Sequence, residues 1–264
     1  MPPDELYDEL PVVKYRAGKG FERIEDRVIK ESSIRILLNG REIVAILALK
    51  RELEELAVGF LYNECIINDA GAIEEVVLNE PLDAVMVETR EEISEAAPAT
   101  VRSITAGCGK GISFINPLKM DYFKALEYGK EIRAGAISGL MGEFTKASEL
   151  FKLTGGVHSA AWSDGEGILR VSEDIGRHNC VDKLTGWKLL NPEISRDAIM
   201  LISSGRISSD VVAKSLRAGA VFLISRSAPT TGAVQLAHRF GITMVGFTRG
   251  ERFNIYTHPE RIVE

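Results

Sequence analysis

Three apolar runs in the second half of the chain each pass directly into a polar loop, and this repeated pattern limits the possible folds more than any other feature. The runs are MLISS before GRISSD, VFLIS before RSAPTTG, and TMVGF before TRGERF. They have the length of strands, and a helical pattern follows each of the first two loops. Apolar strands that alternate with helices predict a sheet with parallel strands that is covered on both faces.

The loops after these runs share an arginine-rich chemistry. Ligands of an open α/β sheet bind outside the carboxyl ends of its strands, where helix N-termini present free N–H groups and a positive dipole end. Ser208 and Thr230 or Thr231 are candidate N-caps of the two helices. Arginine suits phosphate because its planar fork binds two oxygens at once. The loops therefore predict an anion or nucleotide site, and its candidate arginines are Arg206, Arg226, Arg249 and Arg252.

Charge is distributed unevenly along the chain. The 264 residues carry a net charge of −6, yet residues 200–264 contain eight Lys and Arg against four Asp and Glu, which leaves −10 for the rest. A basic part on an acidic protein fits a small anion better than a nucleic acid, so we expect no nucleic-acid partner. MPPDELYDEL lacks the pattern of a signal peptide, and no apolar run reaches the length of a membrane span. We therefore expect a cytoplasmic protein with no membrane partner.

The first half predicts an α+β arrangement. Asn39-Gly40 is a favoured two-residue turn between the alternating runs SIRILL and REIVAILAL, so a hairpin is expected there. RELEELAVGFLYNECII has helical spacing, whereas IEEVVLN and DAVMVETR have the composition of strands. PLKMDYFKALEYG and SGLMGEFTKASELF predict helices that lead into the second half. We expect an N-terminal α+β domain over residues 1–130 and a C-terminal α/β domain over residues 131–264.

Two further polar clusters lie in the second half. TGGVHSAA leads into a predicted strand, and SEDIGRHNCVDK lies between a predicted strand and a predicted helix. They contribute His158, Arg177 and His178 as candidate ligand contacts. Glu173 or Asp174 could accept hydrogen bonds from a base edge or hold the arginines.

The three cysteines, Cys65, Cys108 and Cys180, are too few and too scattered for a disulfide framework. Cys65 and Cys180 lie in amphipathic segments and are predicted to be core residues. Cys108 instead lies among small residues in TAGCGKG, and the neighbouring Lys110 would lower the pKa of its thiol. No metal site is predicted, because C-x-x-C and H-x-E are both absent. A zinc-dependent nucleoside deaminase remains an alternative that metal analysis would test.

Six segments occur in a specific order: ELAVGFLYNECII, TAGCGKG, TGGVHSAA, EDIGRHNCVDKLTG, SSGRISSDVVAKSLRAGAVFLISRSAPT and GFTRGERFNIYTHPERI. Together they resemble the formate dehydrogenase accessory sulfurtransferases, the FdhD family, from the hairpin to the C-terminus. The resemblance implies a C-terminal α/β domain with a mixed sheet, like that of cytidine deaminases but without zinc. It also implies a smaller N-terminal α+β domain.

The resemblance further implies a sulfurtransferase function. Such a protein takes persulfide sulfur from a cysteine desulfurase and passes it to a molybdenum or tungsten bis-guanine-dinucleotide cofactor that formate dehydrogenase requires. The cargo would be Mo-bis(molybdopterin guanine dinucleotide), and GDP-like nucleotides are expected to bind at the same place. A homodimer is also implied.

By this resemblance Cys108 is the catalytic residue that carries the persulfide. Family members often have a second cysteine three residues later, but Gly111 stands there in this chain. A cofactor-binding chaperone without sulfur transfer therefore remains the alternative function. The implied cofactor-binding residues are Phe247, Thr248, Arg249, Gly250, Glu251 and Arg252, together with His158, Arg177, His178, Ser204, Gly205, Arg206 and Ser227.

Overall fold

A computed structural model of the chain describes residues 5–90, 102–104, 124–127, 129 and 131–264. An antiparallel ribbon comes first, formed by β1 (Tyr7–Arg16) and β2 (Gly20–Ile29). Its base is fixed to the rest of the protein, because Leu6 is buried with Leu49 and Ile29 packs against the same cluster. This ribbon was not predicted from the sequence, since its strands lack the alternation of apolar and polar residues that marks a strand with one buried face.

The rest of the first half is a five-stranded sheet with one helix on it. The elements are β3 (Ser32–Leu38), β4 (Arg41–Ala48), α1 (Leu53–Asn63), β5 (Ile73–Asn79), β6 (Ala84–Thr89) and β7 (Arg102–Ile104). The predicted hairpin is confirmed, and both turn residues have positive φ, +48° at Asn39 and +73° at Gly40. The strand order is β5-β6-β3-β4-β7, in which β3–β6 and β4–β7 are parallel pairs. The sheet is therefore mixed, because β3–β4 and β5–β6 are antiparallel pairs.

The second half contains the remaining elements. They are β8 (Ile132–Arg133), α2 (Ala134–Ala147), α3 (Glu149–Thr154), β9 (His158–Ser163), β10 (Ile168–Asp174), α4 (Arg177–Leu190), β11 (Met200–Ser203), α5 (Ser209–Arg217), β12 (Phe222–Ser225), α6 (Thr231–Arg239), β13 (Thr243–Arg249), β14 (Arg252–Ile255) and β15 (Ile262–Val263). The fold class predicted from the sequence, α/β with a mixed sheet plus a smaller α+β part, is confirmed. Thr230 caps α6 by accepting a hydrogen bond from the Ala233 amide, whereas the Ser208 side chain makes no capping bond to α5.

A six-stranded sheet in the order β10-β9-β11-β12-β13-β14 forms the centre of this half. Strands β11, β12 and β13 are parallel, and β9 runs antiparallel to both β10 and β11. Strand β10 therefore points in the same direction as β11, β12 and β13. We call the edge where these four strands end the carboxyl edge. Core side chains of α4, α5 and α6 cover one face and those of α2 cover the other, as the apolar runs predicted.

Helix α1 of the first half crosses α4 of the second half at very short range. A Cβ at Gly59 would lie 1.8 Å from the carbonyl oxygen of Asp182, and one at Gly186 would lie 1.9 Å from that of Glu55. Glycine is required at both positions because the two backbones are in contact. Beside this crossing, Lys214 of α5 pairs with Asp182 at 2.7 Å and with Glu64 at 3.0 Å, and all three side chains are buried.

Some predictions from the sequence concern segments that the structure does not describe. Cys108 lies outside the described residues, as do most residues of PLKMDYFKALEYG, and residues 124–127 of that segment, which the structure describes, are not helical, contrary to the prediction. Cys65 and Cys180 are buried, as predicted. The domain boundary near residue 130 stays a prediction. No helix in the described part of the chain has the length and hydropathy needed to cross a membrane.

Candidate functional site

The carboxyl edge carries one arginine at the end of each of its four parallel strands. Arg177 follows β10, Arg206 follows β11, Arg226 follows β12, and Arg249 is the last residue of β13. Within the described residues, none of the four forms an ion pair with a carboxylate. Four cations that share one edge without carboxylate partners produce a positive potential there, and anions are attracted to such a potential.

Serine side chains shape two of the loops in the same way. The Ser203 hydroxyl accepts a hydrogen bond from the Gly205 amide at 3.1 Å, and the Ser225 hydroxyl accepts one from the Ser227 amide at 3.0 Å. In both turns the serine hydroxyl accepts a hydrogen bond from the backbone amide two residues later in the chain. The Ser225 hydroxyl also donates to the Gly205 carbonyl at 2.6 Å, which ties the two loops together. The positions of Ser204 and Arg226 are therefore set by the ends of their strands.

A cavity of about 460 Å³ opens on the α2 side of the carboxyl edge. Its volume is within the range of small-molecule sites. Its polar wall combines cations with hydroxyl groups and comes from His158, Ser159, Ser204, Arg226, Ser227 and Arg249. Its apolar wall comes from Phe144, Phe151, Val157 and Ile175. The cavity thus offers an apolar surface for a flat group beside donors for an anion.

A second, smaller cleft of about 320 Å³ adjoins the first, because Arg249 lines both. Phe247, Arg252, Phe253 and Asn254 complete its lining. Phe247 has a φ of +53° and is 40 % exposed. A bulky residue in the left-handed region is strained, and such strain is concentrated at functional sites. The partly exposed ring of Phe247 therefore offers an aromatic surface in the cleft.

The remaining residues of the predicted segment Phe247–Arg252 divide into two groups. Gly250, with a φ of +58°, and the exposed Glu251 form the turn between β13 and β14. Thr248 is fully buried, and its hydroxyl has no hydrogen-bond partner among the described residues. The buried hydroxyl of Thr248 is therefore a polar group whose hydrogen-bonding capacity the described residues do not satisfy.

His158, the first residue of β9, lies at the carboxyl edge beside Ser204. Its Nδ1 is 3.3 Å from the Ser204 hydroxyl oxygen, which also accepts a hydrogen bond from the Ser159 amide. Burial lowers the pKa of His158, and the positive charges of Arg177 and Arg206 lower it further. The imidazole is therefore biased towards its neutral form.

The N-terminus of α4 holds Arg177 and His178 in different environments. Arg177 lies against the β11 loop, since a Cβ at Gly205 would be 3.1 Å from Arg177 Cβ. Burial and the charge of Arg206 lower the pKa of Arg177. His178 lines neither cavity, and burial, with the charge of Lys214, lowers its pKa to about 3. Arg177 therefore lies at the carboxyl edge beside the β11 loop, but neither Arg177 nor Arg206 lines either cavity.

Glu173 and Asp174 do not lie free for a base, contrary to the sequence-based hypothesis. Glu173 is buried and accepts hydrogen bonds from the amides of Leu150 and Phe151, each at 3.0 Å. Asp174 is fully buried and pairs with Lys183 at 2.6 Å. Both carboxylates stabilise the architecture around the edge. The hypothesis failed because the position of a residue at a strand end does not show which other elements will cover its side chain.

The apolar wall of the cavity is the part of the site that sequence reasoning missed. Phe144 belongs to α2 and Phe151 to α3, two helices that meet at a break at Ser148. The sequence signal for this wall was weak, because both aromatic residues fit an ordinary amphipathic helix.

No group of three or more His, Cys, Asp or Glu within the described ranges could hold a metal ion.

The sequence of the chain is similar to those of known proteins along nearly its whole length. A family model described as the FdhD/NarQ family matches residues 29–263. The chain is 39 % identical over 262 residues to a Bacillus subtilis (strain 168) protein named "Sulfur carrier protein FdhD", with 99 % of each chain covered. It is 36 % identical over 255 residues to a protein of that name from Staphylococcus aureus (strain MRSA252), with 96 % of each covered.

A solved structure is similar over the same extent. It is the crystal structure of a protein from Desulfotalea psychrophila described as a candidate formate dehydrogenase accessory protein. The TM-score is 0.80 at 29 % identity, and the match covers 98 % of this chain and 100 % of that one. The relatives therefore match this chain along its whole length, so that all elements of the carboxyl edge are included.

Proposed function

Because the chain belongs to the FdhD/NarQ family, we propose that it is a sulfur carrier that serves formate dehydrogenase. The names of its relatives from Bacillus subtilis and Staphylococcus aureus support the sulfur-carrier role. The description of the similar crystal structure supports the role in formate dehydrogenase maturation. The cargo is persulfide sulfur, which the protein accepts from a cysteine desulfurase and delivers to a molybdenum or tungsten bis-guanine-dinucleotide cofactor.

The observation that carries this proposal is the row of four arginines at the carboxyl edge, none of which pairs with a carboxylate in the part of the chain that the structure describes. Each guanine dinucleotide contains a diphosphate, and arginine binds such oxygens through paired, charge-assisted hydrogen bonds. Arg226 and Arg249 line the larger cavity, where His158, Ser204 and Ser227 add donors. In the adjoining cleft, Phe247 offers an aromatic face on which a base could stack. The same features support binding of GDP-like nucleotides.

Cys108 is the proposed sulfur-bearing residue, and it acts without a second cysteine because Gly111 stands three residues later. Its thiolate attacks the terminal sulfur of the desulfurase persulfide. A Cys108 S–S bond forms, the donor S–S bond breaks, and the desulfurase leaves as its cysteine thiolate. Passing that sulfane sulfur on breaks the Cys108 S–S bond and returns Cys108 to a thiolate, while the metal cofactor, as a reduced co-substrate, would supply the two electrons that convert the sulfur to sulfide.

The backbone that leads to Cys108 is connected to the proposed cofactor site. Strand β7 ends at Ile104, four residues before Cys108, and pairs in parallel with β4. Near the end of β4, Asn179 donates a hydrogen bond to the Leu47 carbonyl at 2.9 Å, and just beyond the strand the Leu49 amide donates one to Asp174 at 3.1 Å. Asp174 and Asn179 flank the start of α4 at the carboxyl edge. Strand β7 and the proposed acceptor site are thus both connected to β4 through contacts with its backbone.

The partners implied by this proposal are a cysteine desulfurase, formate dehydrogenase and a second copy of the chain in a homodimer. The proposed place of action is the cytoplasm. A chaperone that only binds and delivers the cofactor is the second candidate function, because the loop has a single cysteine.

Sulfur loading separates the two functions. The wild-type protein, Cys108→Ser and the control Cys65→Ala are each incubated with a cysteine desulfurase and cysteine, and intact masses are compared. We expect the mass of one added sulfur atom on wild type and on Cys65→Ala, and none on Cys108→Ser. Absence of added sulfur on wild type would favour the chaperone, and equal loading of Cys108→Ser would exclude this cysteine as the carrier.

A further inference from the structure

The ribbon β1–β2 extends from the protein with little support. Five of its large apolar side chains are exposed, namely Leu10, Val13, Tyr15, Phe21 and Val28. The two aromatic rings, 79 % exposed for Phe21 and 63 % for Tyr15, contact each other near the tip with centroids 5.2 Å apart. An isolated two-stranded ribbon is marginally stable in water. Exposed apolar side chains on such an element indicate a protein partner.

The charges of the ribbon have opposite signs at its two ends. We define the tip as residues 14–23 and the stem as residues 7–13 and 24–29. The tip contains Lys14, Arg16, Lys19 and Arg23 against Glu22, a net charge of +3. The stem contains Asp8, Glu9, Glu25 and Asp26 against Arg27, a net charge of −3, or −2 when Lys30, which pairs with Asp8, is included. One ribbon is therefore complementary to a second ribbon placed antiparallel to it.

We propose that the ribbon is the dimer contact of this protein, and that it packs antiparallel on the ribbon of a second copy. Two-fold symmetry places the basic tip of each copy on the acidic stem of the other, because the same patch is used twice in such an interface. The exposed aromatic rings are buried in the contact, where tyrosine, phenylalanine and arginine are enriched. The inference takes up the homodimer proposed above and does not depend on sulfur transfer.

The base of the ribbon adjoins the larger cavity. Ile29, the last residue of β2, has its Cγ2 atom 2.9 Å from where a Cβ of Gly156 would lie, and Gly156 lines that cavity. Helix α3, which contributes Phe151 to the cavity, also contacts β2. A second copy bound to the ribbon would therefore be held on the side of the protein where the cavity opens.

The first test is the mass of the full-length protein in solution, measured by light scattering after size exclusion. We expect a dimer for wild type and a monomer for the double variant Tyr15→Asp/Phe21→Asp. The control Ile194→Asp changes an apolar side chain that is 65 % exposed outside the ribbon, and it should stay dimeric. A monomeric wild type, or a double variant that dimerises as tightly as wild type, would overturn the proposal.

A charge exchange tests the antiparallel arrangement itself. One variant reverses the tip (Arg16→Glu/Arg23→Glu) and the other reverses the stem (Glu25→Arg/Asp26→Arg). Each variant alone places like charges together and should be mostly monomeric, whereas an equimolar mixture restores both contacts and should form a heterodimer. Failure of the mixture to associate, with both variants folded by circular dichroism, would contradict the arrangement. The sulfur-loading experiment is unaffected by either outcome.

Discussion

His158 shows how one side chain at the carboxyl edge can report what fills the cavity. Its pKa is lowered by partial burial and, further, by the positive charges of Arg177 and Arg206 nearby. A bound diphosphate would neutralise these arginines and raise the pKa of the imidazole. The complex would then hold more protons than the free protein, so affinity must increase as pH falls.

We therefore predict that GDP binds more tightly as the pH is lowered from about 8 to about 6, the interval in which histidine titrates. Each unit by which binding raises the pKa of His158 contributes up to about tenfold in affinity. Calorimetric titration at several pH values measures the slope. Since GDP itself titrates, the informative quantity is the difference between wild type and His158→Gln, which should show a flatter profile.

The exposed His238 of α6 provides the control for this measurement. His238→Gln should keep the wild-type profile, because it lies away from the edge. Identical slopes for wild type and His158→Gln would contradict a role of His158 in proton uptake.

The positions of the arginines could be predicted from the sequence, whereas the roles of the acidic residues could not. Arg206, Arg226 and Arg249 follow apolar runs whose ends are visible in the sequence, so their shared edge could be inferred. Glu173 and Asp174 are the last two residues of β10, but the start of α3 and the backbone just after β4 cover them. Long-range packing decides that difference, and no local pattern encodes it.

At the scale of elements, the crossing of α1 and α4 depends on two glycines. A methyl group at Gly59 would collide with the backbone of α4, which cannot move aside as a flexible side chain can. We predict that Gly59→Ala lowers the free energy of unfolding by about 3 kcal/mol or more, as severe overpacking does. Urea denaturation monitored by circular dichroism measures the change.

Gly139 of α2 is a matched control, because a Cβ there would meet nothing within 4 Å. Gly139→Ala removes a flexible residue from a helix interior and should raise stability by about 0.5–1 kcal/mol. Equal effects of the two substitutions would show that helix propensity, and not backbone contact, governs Gly59.

Elements whose apolar residues recur with a clear spacing were predictable from the sequence. Pairings between distant strands, and the ribbon without a core of its own, were not. The turn at Asn39-Gly40 and the strands β11, β12 and β13 were found because their patterns are local. The parallel pairing of β3 with β6 was missed, since it joins strands 46 or more residues apart. The ribbon was missed because its apolar side chains are not arranged around a core of its own chain.

At the scale of the whole molecule, Lys214 joins the two halves. It lies between Asp182 of α4 and Glu64 at the end of α1, and these carboxylates raise the pKa of Lys214 although burial alone would lower it. Removal of the cation would leave two buried carboxylates without the positive charge that they share. We predict that Lys214→Met costs about 3–5 kcal/mol of unfolding free energy.

The control for this prediction is Arg196→Met, which breaks an exposed pair with Glu193 and should cost less than about 1 kcal/mol. Both variants are compared by urea denaturation at the same pH. A loss at Lys214 as small as that at Arg196 would show that the buried network does not hold the halves together.

The carboxyl edge connects all three scales, because strand direction brings the arginines together and the contacts between the halves tie that edge to β7. The central claim is that this edge binds a guanine dinucleotide through its phosphates. Arg249 is the residue to change, since it lines both cavities. Arg196, which is 76 % exposed and remote in sequence from the edge loops, is the matched control.

The direct measurement is calorimetric titration of GDP and ADP into wild type, Arg249→Ala and Arg196→Ala. Loss of a charge-assisted hydrogen bond costs about 1.5–3 kcal/mol, which is about tenfold or more in affinity. We predict that GDP binds wild type more tightly than ADP does, that Arg249→Ala weakens GDP binding by this factor, and that Arg196→Ala leaves it unchanged. No binding of GDP to wild type, equal binding of both nucleotides, or an unchanged affinity in Arg249→Ala would contradict the claim.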